Sequence, residues 1–311
     1  MKKISFVIPC YNSSSTIEKV VEEINSTMEL LYSYVYEIIL VNDCSPDNTF
    51  DVIKNLALED EHIISLNLAK NAGQHAALMA GFHYVSGDIV VCLDDDGQTP
   101  ADEVGKLIEK IKDGYDVVYA SYENKRHSGF RNWGSAVNSK MTEIMLGKPK
   151  ELYISSYFAS RRFIIEEMLH YEGCYPYVIG LVLRTTKNIC NVPVHHRQRE
   201  VGTSGYTIGK LLGLWMNGFT SFSVKPLRLA NYLGCFSAIC GFLYALVIVI
   251  RYFISHTAPL GWSSTTALLL VLGGIILMVL GMMGEYIGRI YLCINATPQY
   301  VVRELVKKDK E

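Results

Sequence analysis

Two stretches without a charged residue, Leu229 to Ile250 and Thr265 to Gly284, constrain this chain more than any other feature. At about 1.5 Å rise per residue, each reaches roughly 30 Å as a helix, the thickness of a hydrocarbon core. Two near-consecutive segments of full spanning length fit lipid better than a buried protein core. The link between them, Arg251 to Ser264, holds a single Arg and places Trp262 as an interfacial aromatic. The outer flanks carry Lys210, Lys225 and Arg228 on one side and Arg289, Arg303, Lys307, Lys308 and Lys310 on the other. The positive-inside rule then puts both termini in the cytoplasm and the link outside. Gly273, Gly274, Gly281 and Gly284 would let the two helices approach closely. The expectation is a two-helix transmembrane hairpin over 227–292, multi-pass in the inner or plasma membrane, with a basic cytosolic tail over 293–311. Just upstream, 207–226 mixes apolar residues with few charges and reads as an amphipathic helix at the membrane surface.

The first two hundred residues have a different character. Ile4 to Ile8, Glu37 to Val41, Ile63 to Leu66, Ile89 to Leu93 and Val117 to Ala120 are short Ile/Val/Leu-rich runs with the length of buried parallel strands. Between them lie helical patterns at Ser14 to Leu31, Thr49 to Glu59, Gln74 to Ser86 and Asp102 to Ile111. Such alternation predicts an α/β domain over 1–206, built on a mostly parallel, Rossmann-like sheet. Ligands in such sheets bind beyond the carboxyl ends of the strands. The chain lacks G-x-G-x-x-G and G-x-x-x-x-G-K-[ST], which excludes the usual dinucleotide and P-loop sites. Its net charge of −2 gives no global reason to expect nucleic acid as a partner. The eight cysteines show neither a C-x-x-C pair nor a zinc spacing, as expected of reduced cytosolic thiols. The segment Lys3 to Pro9 reads directly as a strand, and no signal peptide is expected before it.

Chemistry concentrates at two strand ends. In Cys92-Leu93-Asp94-Asp95-Asp96-Gly97-Gln98, three carboxylates follow an apolar strand and would repel one another without a cation among them. In an extended segment Asp94 and Asp96 share one side while Asp95 points away. Two aligned carboxylates suit Mg²⁺ or Mn²⁺ shared with substrate phosphates. At the second strand end, Asp47 or Asn48 can cap the helix that starts near Thr49. Asp43 is left over from that role, and its carboxylate can accept a hydrogen bond from a nucleobase N–H.

Val7-Ile8-Pro9-Cys10-Tyr11-Asn12, Val41-Asn42-Asp43-Cys44-Ser45, Lys70-Asn71-Ala72-Gly73-Gln74-His75-Ala76-Ala77 and Leu93-Asp94-Asp95-Asp96-Gly97-Gln98, in that order and followed by the hairpin, resemble the family-2 glycosyltransferases. Within that family, the dolichol- and undecaprenyl-phosphate sugar synthases are the most similar group. The resemblance implies a GT-A fold, with Pro9, Tyr11, Asn12, Asp43, Ser45, Asn71 and Asp94 around the nucleotide. It implies a metal on Asp94 and Asp96, with Gln98 near the sugar. It further implies that Arg199, Ser204, Tyr206 and Lys210 close over the diphosphate, and that Arg126 and Arg131 bear on the acceptor phosphate. An Arg- and Lys-bearing Gly/Ser loop before a surface helix can grip phosphate by charge and by backbone N–H. Two departures stand out. Cys44 replaces the usual glycine of Asp-Gly-Ser, and Ser155-Ser156-Tyr157-Phe158 stands where many relatives have Gly-Asp-Phe-Arg.

These implications converge on inverting transfer from a nucleotide-sugar to a polyprenyl phosphate of the undecaprenyl phosphate type. UDP is favoured because Asp43 suits a uracil N–H, while GDP and dTDP stay open. A lipid-alcohol acceptor and an inactive nucleotide-sugar-binding partner of a polymerase or flippase are the competing readings. A homo-oligomer is compatible with all three.

Overall fold

The computed structural model describes residues 2–122, 143, 147–195, 261–295 and 297–308, with further helical positions scattered through 227–254. Eight strands form one sheet in the order β7-β5-β6-β4-β1-β2-β3-β8. In chain order these are β1 (Lys2–Cys10), β2 (Tyr34–Asn42), β3 (Ile63–Leu68), β4 (Ile89–Cys92), β5 (Val117–Tyr122), β6 (Phe158–Arg161), β7 (Ile189–Val194) and β8 (Val302–Lys307). Helices α1 (Ile17–Leu30), α2 (Thr49–Glu59), α3 (Gln74–Phe82) and α4 (Val104–Lys112) join the first five strands. Helices α5 (Arg162–Leu169) and α6 (Val178–Thr185) lie between β6 and β7, and α7 is Trp262–Ile294.

The four central strands β4, β1, β2 and β3 are parallel, with Phe6 opposite Ile38 and Val91. Their side chains read as apolar runs because helices cover both faces. Helix α3 is buried from Ala76 to Phe82 and sits close against the sheet. A Cβ at Gly81 would lie 2.5 Å from Val7 Cγ1 and 3.1 Å from Val41 Cγ2. Glycine is therefore what brings this helix, and its first residues, near the strand ends.

The sheet is mixed rather than purely parallel. β6 runs antiparallel between β4 and β5, and β8 runs antiparallel along β3. β8 is the larger surprise, because a basic tail was expected over 293–311. Val302–Lys307 alternates half-buried and exposed positions, the pattern of an edge strand with one face on the protein.

The chain divides into two compact units, Met1–Gly218 with Thr297–Glu311, and Phe219–Ala296. In the second unit, Leu272–Ile294 is the one helical stretch among the described residues long and apolar enough to cross a membrane. It overlaps the expected Thr265 to Gly284, which lies wholly within α7, and runs on to Ile294. It takes in Glu285 and Arg289, which neutralise each other in an i,i+4 ion pair at 2.6 Å. Leu277, Met278, Ile287 and Ile290 are exposed on this helix. In the first expected span, Leu229 to Ile250, the described positions, Phe242, Leu243 and Tyr244 among them, are helical, while the surface helix over 207–226 lies outside the described residues.

Candidate active site at the strand ends

The carboxyl ends of β1, β2, β3 and β4 bring together the loops that the sequence singled out. β1 ends at Cys10, and Asn12 turns the chain with φ +55. Asn12 N–H donates to Ser45 Oγ at 3.2 Å, and Tyr11 N–H donates to Asp95 Oδ2 at 2.9 Å. Pro9 is buried, whereas the Tyr11 ring is half exposed. The loops after β1, β2 and β4 are thus joined by side chain-to-backbone bonds.

Asp43 is 4% exposed, directly beyond β2. Its Oδ1 accepts from Ala72 N–H at 2.7 Å and its Oδ2 from Gly73 N–H at 2.8 Å. Asn71 Nδ2 donates to the Asp43 carbonyl at 3.2 Å. Burial pushes the Asp43 carboxyl above its usual value, and the two backbone donors only partly offset it. Each carboxylate oxygen can accept a second bond, so capacity for a ligand N–H remains. Asp47 has a structural role. Its Oδ1 accepts from Thr49 N–H at 3.2 Å and its Oδ2 from Ser14 N–H at 3.3 Å. Asn48 occupies the cap position of α2 without a side-chain capping bond.

The acidic run is a turn rather than an extended segment. Strand pairing stops at Cys92, Asp95 and Asp96 form the turn, and Gly97 leaves it with φ +72. The expected divergence of side chains still holds for Asp94 and Asp95. Asp95 faces back to Tyr11, whereas Asp94 accepts from Gln74 Nε2 at 3.1 Å and from Ser156 Oγ. Asp96 Oδ1 accepts from Gln98 N–H at 3.0 Å, which closes the turn. The Asp94 carboxyl is raised to about 6, chiefly by burial and in smaller part by Asp96 and Asp95, while the bonds from Ser156 and Gln74 oppose the shift. Burial likewise raises Asp95. A divalent cation relieves this kind of crowding, so the donor set fits Mg²⁺ or Mn²⁺ shared with phosphate oxygens. Among the described residues no group of three or more His, Cys, Asp or Glu side chains is placed to hold a metal. Two aspartates would therefore need ligand oxygens to complete the shell.

Gln74 and Ser156 were not assigned to the site from sequence. Ser156 belongs to the stretch read as lacking the relatives' carboxylate and cation, yet its hydroxyl meets Asp94. Gln74 opens α3 inside a motif already noted, and its place at the first helical position was the available signal. Ser155, its neighbour, instead bonds the Ala120 and Tyr157 carbonyls, both at 2.8 Å. His195 pairs with Glu103 at 2.7 Å. Arg126, Arg131, Arg199, Ser204, Tyr206 and Lys210 lie outside the described residues.

A mixed α/β sheet with an acidic turn beyond a central parallel strand is the arrangement of GT-A glycosyltransferases. Residues 5–169 match the Glycosyl transferase family 2 description, and the chain belongs to that family. It is a glycosyltransferase that uses a nucleotide-sugar. Residues 225–290 match the GtrB C-terminal hairpin, which marks a family of polyprenyl-phosphate glycosyltransferases. Among solved structures, it resembles glucosyl-3-phosphoglycerate synthase from Mycobacterium tuberculosis in complex with Mn²⁺, UDP-glucose and phosphoglyceric acid. The TM-score is 0.53 at 20% identity, covering 70% of this chain and 78% of that one. Mannosyl-3-phosphoglycerate synthase from Rubrobacter xylanophilus gives 0.54 at 14%, covering 74% and 75%. At these identities the likeness speaks for the fold.

Proposed function

We propose that this glycosyltransferase moves a sugar from a UDP-sugar to a polyprenyl phosphate at the cytosolic face of the membrane, with inversion. The observation that carries this reading is the order of parts along the chain. A family-2 sheet is followed by an apolar excursion that matches the GtrB hairpin, and the chain then returns to the same sheet as β8. A chain that leaves and re-enters one sheet crosses a membrane an even number of times. A crossing by Leu272–Ile294 therefore calls for a partner crossing, and Leu229 to Ile250 has the composition for it. This supports a two-pass hairpin with the sheet domain and the β8 end both cytosolic.

In this reading Pro9, Tyr11, Asn12, Asp43, Ser45 and Asn71 cradle the nucleotide, and Gln98 lies near the sugar. Asp94 and Asp96 would hold Mg²⁺ or Mn²⁺, which when bound offsets charge on the diphosphate. A lipid monophosphate is largely dianionic at neutral pH, since its second pKa is about 6. Its oxygen attacks the anomeric carbon without a general base. The C–O bond to the nucleoside diphosphate breaks, and its electron pair leaves with the diphosphate. The residues then have two tasks, positioning and charge complementarity. Arg199 and Lys210, with Ser204 and Tyr206, would supply fixed donors to the departing diphosphate, and Arg126 and Arg131 would orient the acceptor phosphate. The neighbour bound to Mn²⁺ and UDP-glucose supports the choice of donor and metal class.

Transfer of radiolabelled sugar from a panel of UDP-, GDP- and dTDP-sugars tests this reading. Undecaprenyl phosphate, undecaprenol and diacylglycerol serve as acceptors for the purified full chain. Label should enter only the phosphate lipid. Equal labelling of either alcohol would refute a phosphate acceptor.

A further inference from the structure

We infer that Arg303 and strand β8 position the loop that holds the donor nucleotide, so donor binding depends on the chain returning from the apolar segment. This rests on the nucleotide role proposed above for Asp43. Both backbone polar groups of Ala69, the residue just past β3, are taken up by the C-terminal segment. Its N–H donates to the Val301 carbonyl at 2.8 Å, and its carbonyl accepts from the Arg303 guanidinium at 3.2 Å. A few residues further along, Asn71, Ala72 and Gly73 all bond to Asp43. The chain from Ala69 to Gly73 thus spans the gap between β8 and Asp43.

The ladder explains why Arg303 reaches this loop. Asn67 pairs with Glu304 and Leu68 with Val302, so Arg303 is the unpaired residue of a bulge. Bulges re-aim side chains and locally strengthen twist. Glu304, from the same bulge, forms an ion pair with Lys54 of α2 at 2.7 Å. Lys308 Nζ donates to the Glu59 carbonyl at the far end of that helix, at 2.8 Å. Helix α2 follows the Asp43 loop directly, so β8 holds chain on both sides of Asp43. Along the chain, α7 ends at Ile294, and Val301 is the first residue to bond the Ala69 backbone. A loop pinned in this way holds the Asp43 carboxylate in place through the Ala72 and Gly73 donors, without an ordering cost when the nucleotide arrives.

The test uses full-length protein in lipid nanodiscs, with UDP as probe, and compares wild type, Arg303→Ala, Arg303→Lys and Asp43→Ala. The sheet ladder is backbone, so Arg303→Ala leaves β8 paired. It should weaken UDP binding about three- to tenfold, the reach of one hydrogen bond, while kcat at saturating donor holds. Amide exchange at Ala72 and Gly73 should quicken while β1 stays protected, and Arg303→Lys should recover part of both losses. Unchanged UDP affinity and exchange in Arg303→Ala, where Asp43→Ala binds UDP more weakly than wild type, would overturn the proposal. So would faster exchange that includes β1, since that signals general loosening. If wild type does not bind UDP, or Asp43→Ala binds it as well as wild type, the nucleotide reading falls and takes the proposal with it.

Discussion

The two edges of one sheet treat buried carboxylates in opposite ways. At the starting edge, Glu37 of β2 faces Lys3 Nζ at 2.6 Å, Ser5 Oγ at 2.5 Å and Ser86 N–H at 2.6 Å. Burial works against its ionisation, but Lys3, Ser5 and Ser86 outweigh that and hold its carboxyl below the usual value. At the finishing edge of the same strand, Asp43 meets only backbone N–H and its carboxyl is raised. Asp94 and Asp95, beyond β4, are raised too, and their donors among the described residues are neutral. One edge is compensated and contributes to stability. The other keeps its negative charge under-compensated, the state in which a cation or a ligand donor gains most.

Substitutions should separate the edges. The largest effect belongs to Asp96→Asn, which should lower transfer by two or more orders of magnitude, on the order of 3 kcal/mol, in folded protein. EDTA should do the same to wild type, and near-normal turnover in either assay would remove the metal role. Next, Glu37→Ala should cost about 2 kcal/mol of stability in denaturant melts, because it strands Lys3 and the serine donors, with activity per folded molecule retained. Its pH signature follows from the depressed pKa. The Glu37 contribution is complete above the ordinary value of 4.5 and is lost as pH falls through the lower folded value. Asp43 has the opposite sign, since a raised carboxyl pKa makes protonation favour the folded state.

Smaller effects should appear around the donor. Asp43→Ala should raise donor KM about tenfold, near 1.4 kcal/mol, more than it lowers kcat. If kcat collapsed while donor affinity held, Asp43 would belong to the chemical step. Ser156→Ala should cost the least, about two- to tenfold in kcat/KM, as expected for one hydrogen bond to Asp94. A larger loss would make Ser156 a direct contact of the sugar.

The compensated edge was the harder one to see in the sequence. Apolar runs fixed β1 to β5 and the start of α2 at Thr49, because buried parallel strands leave unbroken Ile/Val/Leu signatures. The finishing edge was legible too, since polar residues right after such runs have few structural duties. Glu37 was counted as the first residue of a strand, and nothing local announced Lys3 or Ser86 as partners. β8 was missed for a related reason. Its Arg303 and Lys307, with Lys308 just after it, looked like a topogenic flank, while its pairing with β3 is a contact across more than two hundred residues. Ser156 read as the loss of a relative's carboxylate, and only the fold brings its hydroxyl to Asp94. The uncharged run Thr265 to Gly284 was legible from composition and lies within α7, whose apolar stretch runs on to Ile294 because Glu285 and Arg289 pair with each other.

Thermal melting of the full chain with and without Mn²⁺ and UDP tests the contrast between the edges most directly. Glu37→Gln should lower the ligand-free Tm and keep the ligand-induced rise. Asp94→Asn should leave the ligand-free Tm unchanged or higher, since it removes repulsion among three carboxylates, and should abolish the rise. A lowered ligand-free Tm in Asp94→Asn with the Mn²⁺ and UDP shift intact would contradict the account.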